Sequence, residues 1–159
     1  MRKKNQYFRI LFVFTALLTT DVFSQALGAD HYFNGSWIYE QTCGWRHVAS
    51  IELHQRGSQV EGDWSDGSAR ASGTSGQLKG NVSGKKLTVR YCGIDENSDS
   101  NICPSFDSET SDYFIREGVD LIWYKMSTGK NGVEFKKYLV LHPAIGGKPS
   151  IKDSDCPSE

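Results

Sequence analysis

The chain has 159 residues, with 18 Lys and Arg against 19 Asp and Glu, a formal net charge of −1. That balance excludes the basic face that nucleic-acid binding demands. Sixteen glycines and 12% aromatic residues suit short strands between turns better than long amphipathic helices.

The first segment reads as a secretory leader. Arg2, Lys3, Lys4 and Arg9 form a basic start, Ile10 to Leu18 a short apolar run, and Ser24, Ala26, Gly28 and Ala29 small residues suited to cleavage. The run is about half the roughly 20 residues that a membrane span needs. Residues 1–29 are therefore expected to be a signal peptide cleaved between 24 and 29, with no membrane span. Residues 30–159 then form a single β domain. Losing the leader removes four basic residues and Asp21, which leaves 14 basic against 18 acidic residues and a formal charge of −4. The expected location is the periplasm or the exterior.

Export also decides how to read Cys43, Cys92, Cys103 and Cys156. An even count in an oxidising compartment predicts two disulfides, with no metal ligands. Of three pairings, Cys92–Cys103 closes a polar loop, and Cys43–Cys156 pins the C-terminal tail to the first strand region. A loop of about a dozen residues closed this way stabilises by roughly 3 kcal/mol.

In chain order, Asn34-Gly35 is a turn signal set directly against Trp37-Ile38-Tyr39-Glu40, the first strand-forming run. From His47 to Gln55 a period of two places Ala49, Ile51 and Leu53 on one face and Ser50, Glu52 and His54 on the other. Arg56-Gly57-Ser58 turns the chain into a run where Val60, Gly62 and Trp64 share a face. Gly67 to Gly76 reads as a long hairpin loop, and strand pattern resumes at Gln77 to Val82. Ser83-Gly84-Lys85 leads to Lys86–Cys92, the cleanest strand. Tyr113 to Ile115, Asp120 to Met126 and Val133 to His142 follow, the last two joined by a turn carrying Asn131-Gly132, a strong hairpin signal. The tail from Pro143 reads as irregular. About eight strands with short connections predict an all-β antiparallel meander. It either closes into a small barrel, which removes sheet edges, or forms a two-sheet sandwich with two disulfides.

Gly35-x-Trp37 at the head of the first strand, followed by such a meander, resembles the calycin group of lipocalins and avidins. The resemblance implies that Trp37 plugs one barrel end while Gly35 lets the chain bend over it. It also implies a carrier whose mouth takes a small apolar ligand. The stretch Glu40-Gln41-Thr42-Cys43-Gly44 departs from the ligand-binding run of avidins, so no biotin-like ligand follows.

No catalytic signature is present. His47 and His54, seven apart, point to opposite faces of one strand; there is no Gly-x-Ser-x-Gly elbow; and the cysteines are committed to bridges. No catalytic residue, metal or cofactor is assigned, and the chain is not read as an enzyme. Asp95 to Asn101 resembles the front half of a calcium loop, but Ser100 and Phe106 stand where Gly and a bidentate Glu belong. A wider window is more informative. Between Arg90 and Arg116 there is no Lys or Arg, while Asp95, Glu96, Asp99, Asp107, Glu109 and Asp112 supply six carboxylates. This acidic excursion is the candidate surface for a basic protein partner, such as a secreted effector or cell-wall hydrolase. Trp64, Tyr91, Trp123, Tyr124 and Tyr138 form a candidate aromatic surface or ligand lining. Strict alternation gives Asp120–Met126 two apolar faces. It also sets Phe135, Leu139 and Leu141 opposite Tyr138 and Val140, with the tail or a partner covering the outer side. The expected function is a periplasmic inhibitor or immunity-type protein; the alternative is the small-ligand carrier.

Overall fold

The computed structural model describes residues 31–44, 46–68, 71–93, 103, 105–129 and 132–154. Among these, nine antiparallel strands run in chain order: β1 Gly35–Glu40, β2 His47–Arg56, β3 Gln59–Ser68, β4 Ala71–Ser83, β5 Lys86–Gly93, β6 Asp112–Glu117, β7 Asp120–Gly129, β8 Gly132–Ile145 and β9 Lys148–Pro149. Each pairs with the next, and β8 returns to β1 through Trp37↔Pro143 and Ile38↔His142, so the first eight close into a barrel. The barrel and not the sandwich is formed. Residues 1–30, including the expected leader, lie outside the described residues.

The period of two explains the wall. On β2, Ala49, Ile51 and Leu53 are buried while Glu52 and His54 are exposed. Opposite them Val60 and Leu78 face in, followed by Leu87 and Val89 of β5, Phe114 of β6, Leu121 and Trp123 of β7, and Leu139 and Leu141 of β8. Each such side chain contributes about 1.5–3 kcal/mol when fully buried. The centre of the barrel is a packed core.

One end is sealed by the residues around the first strand. Trp37 is 3% exposed, and its indole N–H donates to the carbonyl of Val119 in the β6–β7 turn at 2.9 Å. The Arg116 guanidinium lies over the Trp37 and Tyr32 rings, 5.6 Å from each centroid, and donates to the Tyr32 carbonyl at 2.5 Å. Buried Gln55 accepts from the Phe33 N–H at 2.8 Å and donates to the Gly57 carbonyl at 2.7 Å, which staples the 31–34 turn to the β2–β3 hairpin. Gly35 sits at φ 148°, where a Cβ would lie 2.9 Å from the Trp37 ring. The Asn-Gly signal before the Trp is therefore a bend made directly over the plug, open only to a residue without a side chain.

Three expectations are corrected. The stretch 67–76 is not a long loop: β3 continues to Ser68 and β4 begins at Ala71, with Ser68↔Ala71 paired. Small polar residues there form ladder because the hairpin carries the Gln59–Asp66 pairing onward through a register shift between Asp66 and Ser68. The tail is strand and turn as far as Pro149, and irregular only beyond it among the described residues. β8 runs on to Ile145, Gly146 and Gly147 turn at positive φ, and β9 pairs back on β8. Asp153 then bridges in parallel to Gln41, the residue that follows β1.

The third correction concerns β8. Trp123 pairs with Leu139 but Tyr124 pairs with Lys137, so Tyr138 is a bulge. Beyond it the alternation flips: Phe135 packs on the outer Tyr113 ring at 5.0 Å, not on the side of Leu139 and Leu141. Tyr138 turns inward, its ring edge-on to Trp123 at 5.3 Å. Of the expected bridges Cys92–Cys103 is formed; Cys156, the other half of the Cys43 pair, lies outside the described residues.

Candidate functional site

The end of the barrel opposite Trp37 carries the polar chemistry. Asp66 on β3 faces inward by the same parity as Val60 and Trp64. Its carboxylate accepts from His47 Nε2 at 2.6 Å, Lys125 Nζ at 2.6 Å and the Tyr138 hydroxyl at 2.9 Å. These donors come from β2, β7 and β8, so the carboxylate ties opposite sides of the mouth together. Burial pushes the Asp66 carboxyl upward. The hydrogen bonds of Lys125 and His47, the Lys125 charge and the Tyr138 hydroxyl outweigh it and hold the group below its ordinary value. Tyr138 is pushed well up, by burial first and by the Asp66 charge second. Lys125 also lies 3.9 Å from the Tyr138 ring centroid, a cation–π contact that fixes both. Both carboxylate oxygens are engaged, which makes the cluster a clasp across the mouth.

Beneath it lies a second carboxylate, Asp112, 6% exposed. It accepts from the Trp123 indole at 2.7 Å, the Tyr91 hydroxyl at 3.0 Å and the Met126 backbone N–H at 3.1 Å. Burial, then the Asp112 charge, raises Tyr91 well above the ordinary phenol value. Asp112 was expected on the acidic surface. It is instead an interior hydrogen-bond hub, because it is the first residue of β6 and shares the inward parity of Phe114.

The rest of the acidic excursion leaves from the rim of this mouth. The Cys92–Cys103 bridge closes its base, with the two Cα atoms 5.8 Å apart. Its returning limb is pinned to β5 by Asp107 N–H to the Tyr91 carbonyl at 2.9 Å and Ser111 N–H to the Val89 carbonyl at 3.2 Å. Asp107 and Glu109 are exposed on that limb. Asp95, Glu96 and Asp99 lie outside the described residues.

The five aromatic candidates separate into two groups. Trp64, Tyr91, Trp123 and Tyr138 face the interior and meet one another in tilted and edge-on contacts: Trp64–Tyr91 at 4.8 Å, Tyr91–Trp123 at 6.3 Å, Trp123–Tyr138 at 5.3 Å. These contacts form a chain of rings from β3 through β5 and β7 to β8. Tyr124 is on the outer wall, stacked 4.6 Å from Tyr113, whose ring also meets Phe135 and Lys86. The described tail follows β1 instead of covering this outer face.

His47, Asp66 and Lys125 were not singled out by sequence reasoning as a cluster. A signal existed: Asp66 continues the inward series of Val60, Gly62 and Trp64, and Lys125 that of Leu121 and Trp123. Among the described residues no three His, Cys, Asp or Glu side chains gather as metal ligands. No described helix is long and apolar enough to cross a membrane.

Fold and site together define a small antiparallel barrel with a packed interior, a clasped mouth and a disulfide-framed rim. No protein-family model matches the chain, and no curated protein or solved structure matches it.

Proposed function

We propose that the chain is an exported, non-enzymatic binding protein of the inhibitor or immunity type, which engages a basic partner through the excursion between β5 and β6. The observation that carries this reading is the tethering of that excursion. One disulfide closes the base of the acidic segment, and two backbone hydrogen bonds hold its returning limb, with Asp107 and Glu109, at the rim of a stiff barrel. A binding loop ordered in advance loses less entropy on association, and single-sign charge speeds encounter with a partner of opposite sign. Cell-wall hydrolases and secreted effectors of basic character are the targets that suit such a surface. The mutual packing of the interior rings favours this reading over the small-ligand carrier of the calycin resemblance.

The test is an inhibition assay against a panel of cationic peptidoglycan hydrolases, read as clearing of cell-wall suspensions. Inhibition at near-equimolar protein, weakened by Asp107→Asn with Glu109→Gln, supports the proposal. Full hydrolase activity at a hundredfold excess of the protein, or inhibition indifferent to those changes, contradicts it.

A further inference from the structure

We propose that the slot between β8 and the C-terminal tail is a docking site for an extended, acidic segment of polypeptide. The slot exists because β1 and β8 part company. Their pairing ends at Ile38↔His142, and toward the mouth the β1 edge is taken by the tail. The Asp153 N–H donates to the Glu40 carbonyl at 2.9 Å, and the Thr42 N–H donates to the Asp153 carbonyl at 3.0 Å.

The tail does not pair onward with β8. Among the described residues, the edge of β8 that faces away from β7 has no strand partner from Gly132 to Leu141. Between this edge and the tail lies an open cleft of about 620 Å³, lined by Tyr39, Tyr138, Leu139, Val140, Ile151 and Lys152. That volume falls within the range of ligand clefts, about 300–1,000 Å³, and its two long walls are strand edges.

Two arguments choose the guest. The first is hydrogen bonding. Successive residues of an extended chain direct their backbone groups alternately to opposite sides. Asp153 directs its own to β1, so Lys152 and Ser154 turn theirs toward the slot, with the β8 edge opposite. A strand laid between them adds to the sheet on both sides, the geometry of peptide recognition by strand addition.

The second argument is charge. Lys136 pairs with Glu134, Lys125 with Asp66 and Lys152 with Glu40, but Lys137, which also lines the slot, has no carboxylate partner among the described residues. A guest bearing carboxylates supplies one, whereas the Asp153 carboxylate in the same lining already accepts from the Tyr39 hydroxyl at 2.7 Å. The surface is distinct from the acidic excursion and selects the opposite charge.

The test uses the intact, disulfide-bonded protein labelled for NMR and a blocked seven-residue peptide alternating valine with glutamate. The expected result is saturable shift changes confined to the amides of Lys137 to His142 and Lys152 to Ser154. Binding is lost when alternate peptide nitrogens are methylated, and Lys137→Glu weakens it by roughly tenfold. Asp107→Asn leaves it unchanged. No shift changes at millimolar peptide overturn the proposal. So does equal binding of the methylated peptide or of a valine–lysine peptide, because the edge pairing or the charge selection would then be absent.

Discussion

Two aspartates in this chain look alike in sequence and do opposite things. Asp107 stands on the rim in water, while Asp112, five residues on, is enclosed by Trp123, Tyr91 and the backbone of Met126. Removing an acceptor from buried donors costs about 1–3 kcal/mol. Asp112→Ala is therefore expected to destabilise by about 3 kcal/mol in urea unfolding, and Asp107→Ala by less than about 0.5. Equal effects would put Asp112 on the surface. Counting charge along the sequence could not separate the two, because the partners of Asp112 come from β5 and β7.

Asp66 gives the residue scale its pH dependence. Its folded value lies below the ordinary 3.8, so the clasp contributes stability above that value and loses it as pH falls through the folded value. Tyr91 and Tyr138 are raised, so their contribution is complete below about pH 10 and declines as pH rises further. Asp66→Asn is expected to flatten the acid limb of a melting-temperature profile and, by removing the charge that helps to raise Tyr138, to weaken the alkaline limb in part. An unchanged acid limb would remove the clasp from the account. Gly35→Ala tests the plug at the other end: with φ 148° and a Cβ 2.9 Å from the Trp37 ring, it is expected to cost about 1–3 kcal/mol.

At the scale of elements, the regular strands were legible and the irregular ones were not. The apolar alternation of β2 and β5 and the turns at Gly57 and Gly84 are written in the chain itself. The β3–β4 hairpin was hidden because its outer half is rich in Gly, Ser and Asp, residues with poor strand propensity, and its ladder shifts register between Asp66 and Ser68. The bulge at Tyr138 was hidden for another reason. A single extra residue inverts every face assignment beyond it, and nothing in Phe135-Lys136-Lys137-Tyr138 announces it. The β5–β6 excursion is the element on which function is proposed to rest. Cys92→Ser with Cys103→Ser is expected to cost roughly 3 kcal/mol while leaving the far-ultraviolet circular dichroism of the barrel intact. A collapse of that spectrum would mean the bridge holds the barrel and not the loop.

At the scale of the molecule, a plugged end, a packed centre and a clasped mouth support the proposal that binding takes place on the outside of the barrel. Closure between β1 and β8 and the Cys92–Cys103 bridge were within reach of sequence reasoning, since strand number and edge avoidance argue for closure. The packed interior was not, because whether four rings line a space or pack on one another depends on distances between strands. The most direct measurement of the central claim is the association rate of the disulfide-bonded protein with a cationic peptidoglycan hydrolase that it inhibits, taken at low and at physiological salt. It is compared with a variant in which Asp95, Glu96, Asp99, Asp107 and Glu109 are neutralised. The account predicts a rate that falls steeply with salt in the natural protein and is slower and nearly salt-independent in the variant. Equal rates and equal salt slopes for the two proteins would contradict it.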